Sequence, residues 1–438
     1  MRRRLASFTV LGSVLAVLCA AVAGPVAAAV PAEFGAPSVD VRFGSDVTFE
    51  QPVDIGGAIA RAELLLTFPG ADGPLVVGVR PPSGIGPETL THRYEAVPGE
   101  LAPNTMIEGR WRLTGEDGAE LVGPPATATY ADDRFAWRTR TDGLVRLHWY
   151  EGDDAFADRA LRIAVDGMAR AQDFLGVTET DPVDFFVYAS QDDIYAALAP
   201  DRENVGGQAH PDIRTLFALI APSQIDDAWV GVVIPHEITH LVFDTATANP
   251  YGYPPKWLNE GVATYLSEGN TPSHQVAVER AVVEGTLIPL DGLVGQFPTS
   301  ADRFGLAYSQ SVAAVDYLAL EHGESALTEL IAAYGRGMGD DEAFTAAIGM
   351  PPSAFDEAWR TDLGAGEPTA HGPVVGPPGP LPVDWGGTVE PGAVPASPAG
   401  PAPPGRGSGL VIAGALVALA VVGGLVVFLR RRPGGSPA

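Results

Sequence analysis

The apolar residues of this chain fall into two patterns that change near position 134. From 30 to about 130 they alternate or gather in short branched runs, as in Ala62 to Phe68 (AELLLTF), Leu75 to Val79 (LVVGV) and Met106 to Leu113 (MIEGRWRL), separated by the turn-forming stretches PGADG, PPSGIG and GEDG. Period two between Gly- and Pro-rich breaks predicts strands, and about seven of them would make a β-sandwich-like domain over 30–133. Past FAWRTRTDGLVRLHWYEGD, read as the lead into a helical pattern, Ala157, Leu161, Val165, Met168 and Phe174 recur at helical spacing over Asp154 to Leu175. A strand at Val183 to Tyr188 (VDFFVY), a helix at Gln191 to Leu198, a strand at Leu216 to Ala221 (LFALIA) and mostly helix from Pro254 to about Leu363 follow. The predicted fold class is α+β, with a mixed domain over 134–365.

Hydropathy also marks both ends. Basic Met1 to Arg4, an apolar stretch to Val26 and the small residues Ala27, Ala28 and Ala29 read as a secretory signal over 1–29. Its removal takes away Cys19, the one cysteine, so the exported part has no disulfide and must rely on its core or on a bound metal. Residues 366–409 are a Pro/Gly/Ala-rich stalk that would reach about 130 Å as extended polyproline II. Leu410 to Leu429 is an unbroken run of apolar residues and glycine, about 30 Å long as a transmembrane helix, and Arg430, Arg431 and Arg432 follow it. Positive charge marks the cytoplasmic side, which predicts a single-pass cell-membrane protein with a large extracellular portion and a cytoplasmic tail at 430–438. A net charge of -27, with Lys256 the one lysine, argues against nucleic acid as a partner.

Candidate chemistry lies in PHEITHLVFD, Pro235 to Asp244. On a helix His236 and His240 stand one above the other and could hold one ion through neutral imidazole nitrogens. Glu237 is about 100° around from His236, where its carboxylate reaches a water beside the metal and not the metal itself. A catalytic zinc site wants three protein ligands and an open position, and Glu260 in KWLNEGVATYLSE is the candidate third. The connection through DTATANPYGY lets a second helix, opened near Pro254 and Pro255, return antiparallel and present Glu260 to the same point. Asp244 and Thr264, each four residues past a candidate ligand, either hydrogen-bond it or face solvent. The remaining histidines, His92, His148, His210, His274, His322 and His371, show no ligand spacing and read as surface or satisfied core positions.

Together, HEITH at 236–240 and WLNEG at 257–261 resemble the paired motifs of the gluzincin zinc metallopeptidases, of which the M1-type aminopeptidases and their smaller peptidase MA-like relatives are members. The resemblance spans Val145 to Leu363 and implies a thermolysin-like active site. In it His236, His240 and Glu260 ligate one zinc ion, Glu237 is the general base, and Tyr308 hydrogen-bonds the developing oxyanion. From spacing alone Tyr308 reads at least equally as a core residue, with Val312, Val315 and Leu318 in register. In zinc peptidases built this way an edge strand just before the metal helix pairs with extended substrate, a place that Leu216 to Ala221 would take. Two features depart from the pattern. Pro235 requires the helix to start or bend there, and the G-x-M-E-N segment with which M1 aminopeptidases hold a substrate's free amino end is absent.

The function expected is therefore that of a membrane-anchored extracellular zinc metallopeptidase, cutting internally in peptide or protein substrates by means of a zinc-activated water. The alternatives are an aminopeptidase, or a non-enzymatic cell-surface binding protein that keeps the peptidase scaffold.

Overall fold

Strand alternation in the first hundred residues builds two sheets that share one core. The structure is a computed structural model that describes residues 32–97, 99–199, 206–366 and 415–417. In the first sheet β1 (Ala32–Phe34) and β2 (Ser38–Arg42) share one edge of β3 (Asp46–Ile55), and β6 (Gly86–Glu95) pairs along the whole of the other. In the second, β7 (Thr105–Gly115) takes β8 (Glu120–Val122) and β9 (Ala126–Tyr130) on one edge and β4 (Ile59–Thr67) on the other, with β5 (Leu75–Val79) beyond β4. Val47, Phe49, Val53 and Ile55 of β3 meet Ile107, Trp111 and Leu113 of β7 in one buried cluster. Gly109 makes the approach possible, because a β-carbon there would stand 2.5 Å from the Phe49 ring. Nine strands form among the described residues of this N-terminal domain, where about seven were expected. Strands as short as β1 and β8, with three residues each, carry too little alternation to be read from sequence.

The stretch read as a lead into helices is instead a hairpin, β10 (Arg138–Asp142) and β11 (Val145–Trp149), turning at Gly143 with φ of 55°. Its outer strand is exposed at four of five positions, so no apolar period announces it. β11 continues into a mixed sheet in which β12 (Val183–Tyr188) and β14 (Thr215–Leu219) lie parallel to it and β13 (Gly207–His210) runs antiparallel to β14. This corrects the expected edge strand. The LFALIA strand is interior, between β12 and β13, and β13 in turn lies between β14 and a short strand at Ala415–Val417. Four residues with one glycine give β13 no sequence signature.

Helix α1 (Asp154–Leu175) starts at an Asp153 cap and ends at Gly176 with φ of 67°; α2 (Gln191–Leu198) starts at a Ser190 cap. The helices α3 (Val230–Thr247), α4 (Lys256–Ser267), α5 (Pro272–Glu284), α6 (Ala301–His322), α7 (Glu324–Gly335), α8 (Asp340–Ile348) and α9 (Pro352–Asp362) follow. The fold is thus mixed α+β, a β-rich N-terminal domain followed by a largely helical one. The two are tied by Asn104, whose side-chain amide donates to Asp184 Oδ2 at 3.0 Å and to Thr215 Oγ1 at 2.9 Å.

The signal segment, most of the stalk and the span at 410–429 lie outside the described residues, except that Ala415–Val417 form a short strand, β15, antiparallel to β13. Among the described residues no helix is long and apolar enough to cross a membrane.

Candidate active site

α3 is apolar on nearly every side, and it is buried accordingly: Ile234, Ile238, Leu241 and Val242 have no exposed surface. The helix starts at Val230 and runs through Pro235. The proline's missing donor leaves the Gly231 carbonyl without its partner one turn on. Gly167 of α1 makes space beside the proline, since a β-carbon there would lie 3.0 Å from Pro235 Cα. Across α3 from α1 comes α4, drawn against α6 at Gly261, where any side chain would collide with the Ser311 carbonyl at 2.5 Å.

This packing brings His236, His240 and Glu260 together. Both Nε2 atoms stand 3.4 Å from Glu260 Oε2. Ligands about 2.0–2.2 Å from a tetrahedral ion are about 3.3–3.5 Å from one another, so the spacing fits a divalent cation among them. Burial gives a second test. His236 Nε2, His240 Nε2 and both Glu260 oxygens are buried without a hydrogen-bond partner. Each such atom costs about 1–3 kcal/mol in a folded chain unless something binds it. His240 Nδ1 donates to Asn259 Oδ1 at 2.7 Å, which leaves its Nε2 bearing the lone pair a metal needs. The residues therefore fit zinc.

Burial pulls the His236 imidazole down to about 4, with the charge of Glu260 opposing, which favours the neutral ligand form. For Glu260 burial acts upward, but His240, His236 and Lys256 outweigh it and hold the carboxyl well below its usual range. Glu237 is fully buried. Burial pushes its carboxyl up to about 8, against the opposing charge on His240 and helped by that of Glu260. A carboxylate so poised takes a proton readily near neutral pH. Gly207 of β13 lies directly against it.

Tyr308 on α6 has its ring centroid 6.4 Å from that of His236, and it packs on Phe297 and Phe304 at 5.4 and 5.1 Å. It is 5% exposed and belongs to the core cluster, so it is at once a core residue and a neighbour of the metal-binding histidines.

Neither Asp244 nor Thr264 supports a ligand side chain. The Thr264 hydroxyl donates to the Glu260 backbone carbonyl, and Asp244, pushed up to about 6 by burial, lies among Asp212, Arg214 and Glu179. Asn259 is the supporting residue that the sequence reading missed. Its signal was adjacency, since on a helix the residue before Glu260 points about 100° away, toward α3. His274 joins Glu268 at 3.1 Å to Ser309 at 3.2 Å, linking α5 to the end of α4 and to α6, a satisfied position as the sequence reading expected.

Residues 163–365 match the family profile of the peptidase MA superfamily. No curated protein matches the chain. Among solved structures the chain is similar to an M1 zinc metallopeptidase from Deinococcus radiodurans, with 13% identity over 80% of this chain and 97% of that one and a TM-score of 0.38. A mutant of the Deinococcus radiodurans enzyme bound to a Tyr-Ser-Ala substrate is similar at 13% identity over 75% and 94%, with a TM-score of 0.36. An aminopeptidase N family protein from Idiomarina loihiensis is similar at 10% identity over 76% and 71%, with a TM-score of 0.33. The family match covers every residue of the His-His-Glu cluster and the buried carboxylate beside it, and the segment that holds them, similar to the peptidase MA superfamily, is that of a zinc-dependent hydrolase.

Proposed function

We propose that this protein is a membrane-anchored extracellular zinc endopeptidase that cuts extended polypeptides. The observation that carries the reading is the convergence of two imidazole nitrogens on one Glu260 oxygen beside the buried Glu237, with the strand β13 running against that base. His236, His240 and Glu260 would hold a single ion. When bound, zinc supplies Lewis acidity that polarises the scissile carbonyl and makes a water acidic.

The chain's own residues do the rest. Glu237 takes the proton from the attacking water and hands it to the leaving amine. The Tyr308 hydroxyl donates to the oxygen on which negative charge develops. On the edge that β15 takes in this structure, β13 would offer backbone groups to an extended substrate, which binds there as an antiparallel strand in place of β15 and so passes the site in both directions. That mode, with no G-x-M-E-N segment for a free amino end, favours internal cleavage. The apolar run at 410–429 followed by three arginines supports the anchor, and the signal segment 1–29 supports export.

The test is digestion of casein by the full chain in detergent, with chelator and zinc add-back, beside matched peptides with free and acetylated amino termini. Internal fragments from both peptides at similar rates, lost with chelator and regained with zinc, are expected. Stepwise loss of single residues from the free form alone would make it an aminopeptidase, and bound metal without turnover would make it a binding protein.

A further inference from the structure

Glu260 has two carboxylate oxygens, and their surroundings differ. Oε2 faces both imidazole nitrogens at 3.4 Å, whereas Oε1 faces Lys256 Nζ at 3.8 Å. Lys256 sits one turn before Glu260 on α4, and it is held along its length. Its backbone amide donates to the Val294 carbonyl at 2.8 Å, and its ammonium lies 5.3 Å from the centre of the Phe297 ring. That ring packs edge-on against Tyr308, so Lys256, Phe297 and Tyr308 form one wall beside the metal-binding cluster. Only 24% of the lysine side chain is exposed. A largely buried lysine side chain with its ammonium between a carboxylate and an aromatic face is unusual for a residue type that normally extends into water. In this chain it is also the one lysine.

We infer that Lys256 is a positioning residue for the metal centre. It holds Glu260 Oε1 away from the ion, so that the carboxylate ligates through Oε2 alone and a coordination position stays open for water and substrate. This rests on the metal assignment above. The reasoning is geometric: a carboxylate with both oxygens free can swing to chelate a cation with both, filling the open position, and an ammonium on one oxygen prevents that rotation. Lys256 also opposes the ion's charge. Removing that charge and freeing Oε1 to chelate both favour a tighter zinc, so affinity alone does not separate the two effects, and only positioning predicts that the ion gains a fifth ligand atom.

The experiment measures zinc release from the full chain in detergent into excess chromophoric chelator, for wild type, Lys256→Met and Lys256→Arg. Lys256→Met should release zinc no faster than wild type, with Lys256→Arg close to wild type. Cobalt-loaded Lys256→Met should show the weaker visible absorption of a five-coordinate ion where wild type shows the stronger four-coordinate band. Should the methionine variant fail to fold, lysine acetylation of the folded wild type must reproduce the weaker five-coordinate cobalt absorption, with acetylated Lys256→Arg as its control. Cobalt-loaded Lys256→Met that keeps the four-coordinate band of wild type, or zinc release from it faster than from wild type, overturns the role of Lys256 and leaves the metal assignment intact. Wild type that takes up no zinc overturns both.

Discussion

A β-carbon placed on Gly207 would stand 2.7 Å from Cγ of Glu237 and 2.9 Å from its Oε1. Strand β13 thus lies against the proposed base with no space for a side chain between them. Gly207→Ala is expected to displace the carboxylate and to lower kcat by about tenfold to a hundredfold, since displacements near 1 Å at a reacting group cost that much. Zinc content should stay stoichiometric. Unchanged kcat in a folded variant would show that Glu237 tolerates the shift.

Glu237→Gln keeps the shape of the side chain and removes the basic oxygen. Turnover should fall at least about a hundredfold while zinc stays bound. Wild-type turnover in that variant would remove Glu237 from the mechanism.

Asn259→Ala leaves His240 Nδ1 buried without its acceptor 2.7 Å away. Zinc affinity, measured by chelator competition, should weaken about 10–100-fold with the ligands themselves intact. An affinity within twofold of wild type would mean that another group or water replaces the amide.

Tyr308→Phe separates the two roles of that residue. As an oxyanion donor it should lower kcat about ten- to a thousandfold with little change in KM. Its ring packs on Phe297 and Phe304, which phenylalanine preserves, so Tm should hardly move. A fall in Tm with kcat maintained identifies a core residue only.

Acid stability has a specific source in Asp184. Burial pushes its carboxyl up, but hydrogen bonds from His148, Arg146 and Asn104 outweigh burial and hold it at about 2, below its ordinary 3.8. A depressed carboxyl contributes stability that is complete above its unfolded value and is lost as pH falls from about 4 to about 2. Arg146 keeps 45% of its side chain exposed, so solvent screening trims the contribution to about 1 kcal/mol. Denaturation of wild type and Asp184→Asn side by side should show that difference at pH 6 and its disappearance near pH 2. A difference that does not change over that range would assign the effect to packing at the domain junction instead.

What the sequence determined by itself was local. The helical period at Asp154 to Leu175 and the VDFFVY and LVVGV strands appear at the predicted positions, because their apolar spacing matches one backbone geometry and no other. HEITH and WLNEG were legible for the same reason, since side chains four apart on a helix share a face wherever the helix packs. Tertiary structure decided what depends on neighbours distant in sequence. β13 became the strand against Glu237 because of its pairing with β14, a relationship that four residues cannot encode. Asn259 met His240, and Lys256 met the free oxygen of Glu260, only because Gly261 lets α4 and α6 close together and Gly167 lets α1 press against Pro235. The charge state of Glu237 was decided in the same way, since a carboxyl rises to about 8 through burial, and burial belongs to the packed chain and to no single residue.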